Sequence, residues 1–129
     1  MRKLLLVGLL LFVIFVLFFT ASRITILKED QKGYIIVNNQ HIKIPADLFW
    51  NIKSCLNGAF QLSDTPSCPI SEDFQLVLLS KNNIETHRYL IGNDACGTFY
   101  DLKTGLYIEG KKEAKKIIDQ IIHPEWFDD

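Results

Sequence analysis

Residues 34–44 read YIIVNNQHIKI, and Pro45 follows. Tyr34–Val37 is apolar at every position, the pattern of a strand buried on both faces. Asn38-Asn39 suits a tight hairpin turn, because asparagine tolerates positive φ. Gln40–Ile44 alternates, with Ile42 and Ile44 on one side and His41 and Lys43 on the other. The stretch therefore predicts an antiparallel hairpin whose first strand is interior to a sheet.

Downstream, Pro45 closes the strand and can open a helix. In Ala46–Asn57, Leu48, Ile52, Cys55 and Leu56 fall on one stripe with Phe49 beside it, and Gly58 fits a left-handed cap. Ala59–Asp73 is rich in turn formers and reads as a loop. Phe74–Ser80 (FQLVLLS) is a second doubly apolar strand. Lys81-Asn82-Asn83 turns it into Glu85–Ile91, Gly92-Asn93-Asp94 marks another turn, and Thr98–Leu102 and Leu106–Glu109 complete a meander. Ala114, Ile117, Ile118, Ile121 and Ile122 repeat at helical spacing, with Lys111, Lys112, Lys115 and Lys116 opposite. That lysine face reads as solvated rather than lipid-bound, since Glu113 and Asp119 interrupt it. Upstream, Ile24–Lys28 predicts a strand and Glu29–Gly33 a polar turn.

Strands and helices are segregated rather than alternating. The expected fold is α+β: a small antiparallel sheet of hairpins with two helices packed on one face. The two doubly apolar strands belong at its centre. One hydrophobic N-terminal helix precedes this body.

That helix is Leu4–Phe19, LLLVGLLLFVIFVLFF, preceded by Arg2 and Lys3. A body this small has no interior able to hide it on all sides, so it belongs in lipid or is a targeting signal. At 1.5 Å per residue it spans ~24 Å, and with Thr20-Ala21-Ser22 ~28 Å, close to a hydrocarbon core of ~30 Å. Residues 1–22 then form a signal-anchor that holds the chain in the membrane through residues 4–22. Thr20 and Ser22 are also small enough for signal-peptidase cleavage before Arg23. Both readings place 23–129 outside the cytoplasm as a single domain, because Arg2 and Lys3 favour the inside. Cleavage would make that domain secreted or periplasmic. No cysteine follows the apolar run, which argues against a lipoprotein. Val13 stands where a pilin-type segment would carry glutamate after Gly8.

The chain carries 14 Lys/Arg and 15 Asp/Glu. Without Arg2 and Lys3 the body has twelve bases against fifteen acids, a net charge of −3. The signs are interspersed and no basic stripe tracks phosphates, so nucleic acid is not an expected partner. The 129-residue length excludes doubly wound and barrel enzymes.

Cys55, Cys68 and Cys96 are the disulfide candidates, since an oxidised pair is the default outside the cytoplasm. Their separations favour Cys55–Cys68, with Cys68–Cys96 and Cys55–Cys96 as the other pairings. A catalytic thiol would need His41, His87 or His123 as its base, and no nucleophile motif surrounds any cysteine. No C-x-x-C or H-x-x-x-H spacing suggests a metal site. Glu29-Asp30, Glu72-Asp73 and Asp128-Asp129 read as solvated charge. No catalytic residue, cofactor site or metal site is therefore expected. Asp101–Tyr107, DLKTGLY, resembles the closing hairpin of PepSY-type envelope domains over these few residues. The rest of the chain lacks that family's helix-first order, so no function comes with the resemblance.

Trp50, Trp126 and Phe127 are candidate interface residues, because tryptophan beside polar residues is a common interface signature. The competing expectations are burial of Trp50 over the sheet rim and a tail at Trp126-Phe127 that folds back onto the domain. Together these features point to a membrane-tethered, non-enzymatic domain that binds another envelope protein. An inhibitor or immunity-type protein and an accessory subunit both fit. The alternatives are a thiol-dependent envelope enzyme and a secreted binder of a small ligand held between helix and sheet.

Overall fold

Both hairpin asparagines take left-handed backbone, Asn38 at φ 49° and Asn39 at φ 67°, as a two-residue turn matched to the twist of its strands requires. In the computed structural model the turn joins β1 (Asp30–Val37) to β2 (Gln40–Lys43). Residues 1–129 are described except 23, 64–68, 94–96 and 127–129, and 20–22 by backbone only.

The remaining elements are α1 (Arg2–Ser22), α2 (Ala46–Leu56), β3 (Ile70–Ser80), β4 (Glu85–Gly92), β5 (Phe99–Asp101), β6 (Tyr107–Ile108) and α3 (Lys112–Ile122), then a short 3₁₀ turn at Pro124–Trp126. The six strands form one sheet in the order β2-β1-β3-β4-β5-β6, and every neighbouring pair is antiparallel. The two doubly apolar strands are interior, as their patterns require.

Alternate strand residues carry the core. Ile35, Leu76, Leu78, Tyr89, Ile91, Phe99 and Ile108 meet Phe49, Ile52 and Leu56 from α2 and Ala114 and Ile118 from α3. Both helices therefore cover the same face. A Cβ at Gly33 would meet the Val77 carbonyl at 2.7 Å and the Phe49 ring at 3.3 Å. Glycine lets Phe49 seat directly on β1.

Two strands are longer than their hydrophobic runs. β1 begins at Asp30, inside the stretch read as a turn, and β3 begins at Ile70, inside the stretch read as a loop. Pairing supplies what propensity lacks there, since Lys32 and Gly33 lie opposite Leu79 and Leu78. Conversely, Ile24–Lys28 forms no strand. It makes one bridge, Ile24 to Phe60, and Leu62 bridges to Tyr107 on β6. The sheet is thus prolonged past β6 by two extended pieces of chain.

α1 has 21 residues, about 31 Å at 1.5 Å per residue. Every residue from Leu4 to Phe19 is exposed. The helix is long and apolar enough to cross a membrane.

Candidate functional site

Two polar constellations stand at opposite ends of the strands. The first is a groove of about 520 Å³ where β3 begins and β4 ends. The β1–β2 turn contributes Asn38, β3 contributes Asp73 and Phe74, and the bend after β4 contributes Asn93. α3 forms the opposite wall with Lys115, Asp119 and His123, and Trp126 closes it. Asn38 N–H donates to the Asp73 carbonyl at 3.0 Å, and Asn93 N–H to the Pro69 carbonyl at 3.0 Å. These bonds fix the floor.

Lys115 corrects an expectation. The helical pattern predicts it on the solvated face of α3, yet it is buried at 6% exposure. Its Nζ donates to Asp119 Oδ1 at 2.7 Å and lies 5.3 Å over the Phe74 ring. Its long alkyl stem covers apolar surface while the charge reaches a carboxylate one helical turn on. Trp126 is 65% exposed. Its ring stacks on His123, with centroids 3.9 Å apart, and His123 Nδ1 lies 3.2 Å from Glu125 Oε1. The groove thus presents an aromatic surface beside the exposed carboxyl groups of Asp73 and Glu125.

The second constellation was not read from the sequence. Asp30, expected in a solvated turn, is buried at 1% exposure. Thr86 hydroxyl donates to its Oδ1, and His87 Nδ1 lies 3.0 Å from the same oxygen. Lys53 Nζ donates to the Asp30 carbonyl at 2.6 Å. Two irregularities of pairing meet here, between Asp30 and Lys32 on β1 and at Thr86 where Leu78/His87 passes to Leu79/Glu85. Such bulges turn side chains inward that a regular ladder would not. One signal was available: His87, Tyr89 and Ile91 share one face by strand alternation.

Next to this pair, Gln61 Nε2 donates to Thr25 Oγ1 at 3.0 Å and Asp101 Oδ2 at 3.3 Å. Thr104 hydroxyl donates to Gln61 Oε1 at 3.2 Å. Asp30 Oδ2 and Tyr89 Oη are buried without a hydrogen-bond partner among the described residues. Burial pushes the Tyr89 hydroxyl pKa well up, and Asp101 and Asp30 add to the rise. Through Nδ1, Asp30 can orient the His87 imidazole. Thr86, the adjacent hydroxyl, is already committed to Asp30. As built, the cluster ties β1 to the β3–β4 hairpin.

Cys55 is a free thiol, so the favoured Cys55–Cys68 pairing and the Cys55–Cys96 pairing are not formed. Burial, the largest cause, raises the Cys55 pKa. Lys111 lowers it and Glu113 raises it. The net direction is opposite to what an activated nucleophile needs. Cys68, Cys96 and Phe127 lie outside the described residues. Among the described residues no three His, Cys, Asp or Glu side chains gather as metal ligands. Trp50 is not buried over the rim. It is 47% exposed, edge-on to Phe49, with Lys53 Nζ 4.8 Å above its ring. The structure does not bring Trp50 and Trp126 together in one groove. No family model, curated protein or solved structure matches the chain.

Proposed function

We propose that the chain is a membrane-tethered extracytoplasmic domain that binds another protein of the cell envelope without catalysing a reaction on it. An inhibitor or immunity-type protein and an accessory subunit of an envelope complex both fit this description. α1 holds the chain in the bilayer, and the groove closed by Trp126 receives the partner. The observation that carries the reading is Trp126 itself, an exposed indole packed on His123 beside exposed carboxyl groups. A lysine or arginine of a partner segment can lie over such a ring and end at a carboxylate.

The intact chain, solubilised in mild detergent, is expected to retain a protein partner in a pull-down. Trp126→Ala is expected to reduce recovery about tenfold, the effect of losing ~1.4 kcal/mol at an interface anchor. Equal recovery by the variant, or no specific partner for either form, contradicts the reading.

In an oxidising compartment Cys68–Cys96 is the pairing left open by a free Cys55. The described flanks support it, since Pro69 and Asn93 are hydrogen-bonded neighbours. Peptide mapping without reduction tests this, and a bridge to Cys55 would refute it.

A further inference from the structure

We propose that the domain rests on the membrane surface through a face built by Ile24, Ile26, Phe60 and Ile84, with Lys28 and Lys103 at the lipid phosphates. The inference rests on reading α1 as a retained anchor and adds which side of the domain meets lipid.

Alternation sets which side chains are available. Thr25 and Leu27 point inward and are buried, at 4% and 2% exposure. Ile24 and Ile26, between and beside them, are 37% and 53% exposed. Ala59 and Gln61 are likewise buried, whereas Phe60, opposite Ile24, is 48% exposed. Ile84 is 64% exposed and borders the same surface hollow as Ile26, Lys28 and Lys103. The apolar side chains are thus contiguous rather than scattered, the arrangement that marks an interaction surface.

Chain connectivity selects lipid as the occupant. α1 ends at Ser22, and Ile24 is already bridged to Phe60. Two steps of ~3.8 Å separate the Ser22 and Ile24 Cα atoms, so Ile24, the edge of this face nearest the helix, cannot lie farther than about 8 Å from its end. Apolar side chains held there lie at the headgroup–acyl boundary, where isoleucine and phenylalanine gain by insertion and lysine can snorkel to phosphate. Glu29 and Glu85 share the hollow. Arg88 Nη2 pairs with Glu85, which leaves Lys28 and Lys103 against Glu29. The groove at Trp126 lies at the other end of β3, whose 11 residues span ~35 Å at ~3.3 Å each. A domain seated on this face presents its groove away from the bilayer.

The full chain is reconstituted in phosphatidylethanolamine–phosphatidylglycerol vesicles with p-benzoylphenylalanine replacing Leu10, Ile84 or Trp126 in separate preparations. After irradiation, intact-mass measurement reads addition of a phospholipid. Adducts are expected at Leu10 and Ile84, with the yield at Trp126 severalfold below that at Ile84. An adduct at Leu10 with none at Ile84 overturns the proposal and leaves the anchor reading standing. Absence of an adduct at Leu10 overturns the anchor reading and the proposal with it. Equal yields at Ile84 and Trp126 overturn the orientation.

Discussion

Replacing Tyr89 by phenylalanine removes one oxygen from the interior of the sheet and is expected to stabilise the domain. Tyr89 is fully buried, its ring edge-on to Phe99 at 6.4 Å and parallel to His87 at 6.1 Å. Phenylalanine keeps both contacts. The hydroxyl lacks a partner among the described residues, and a buried polar group in that condition costs ~1–3 kcal/mol. Its removal leaves a void of roughly 15 Å³, worth ~0.4 kcal/mol at about 24 cal/mol per Å³. The net expectation for Tyr89→Phe is a gain of about 1 kcal/mol, or a rise in Tm of about 4–8 °C for a domain of this size.

Urea unfolding of the full chain in mild detergent, followed by tryptophan fluorescence, reads this directly, since Trp50 and Trp126 both lie outside α1. The same variant has a pH signature. The Tyr89 pKa is raised in the folded state, so its contribution is complete below about pH 10, the unfolded value. Above that point the unfolded chain has lost the proton while the folded one keeps it. Stability then falls by up to ~1.4 kcal/mol per pH unit, and Tyr89→Phe is expected to lack this component. A variant less stable than the parent by about 1 kcal/mol or more would show that the hydroxyl is satisfied, for example by a water bridging to Asp30 Oδ2. The hydroxyl would then carry no desolvation cost for phenylalanine to relieve.

Three further outcomes follow from packing. Gly97 sits at φ +72°, and a Cβ there would meet the Lys111 carbonyl carbon at 2.4 Å. Gly97→Ala is expected to displace the start of α3 and cost more than about 2 kcal/mol, measured by urea unfolding. Asp119→Ala leaves the buried Lys115 charge unpaired and is expected to cost about 2 kcal/mol, discounted for the partial exposure of Asp119, whereas Lys115→Met is expected to stay within ~1 kcal/mol of the parent. Equal losses in the two variants would contradict this account of the pair. Cys55, half-buried with a raised pKa, is expected to react with maleimide far more slowly in the folded chain than in urea at neutral pH. Mass-resolved alkylation checks it.

The parts of the fold legible in the sequence are those where one local rule acts alone. Asn38-Asn39 specified its turn because few other residues tolerate that backbone. α2 and α3 were legible because their apolar stripes recur at helical spacing. The Asp30 end of β1 and the Ile70 end of β3 were not, because they become strand only by pairing with distant residues, Asp30 with Ser80 and Ile70 with Gly92. Lys115 shows the same limit within a helix. It stands at the edge of the apolar stripe, and only the approach of Phe74 from β3 decides that it is covered. The Asp30–His87 contact joins residues 57 positions apart at the meeting of two bulges, and no local spacing signals that. Trp126 was legible as a candidate, whereas the groove beside it needed the β1–β2 turn and the start of β3 to fold against α3.

The proposed placement of the domain beyond the bilayer underlies the proposed tether, oxidised pair and partner alike. Alkaline phosphatase fused after Asp129, a reporter active only outside the cytoplasm, measures that placement in intact cells. The account predicts full phosphatase activity, retained in the membrane fraction. An inactive fusion whose fluorescent-protein counterpart glows at the same junction would contradict it.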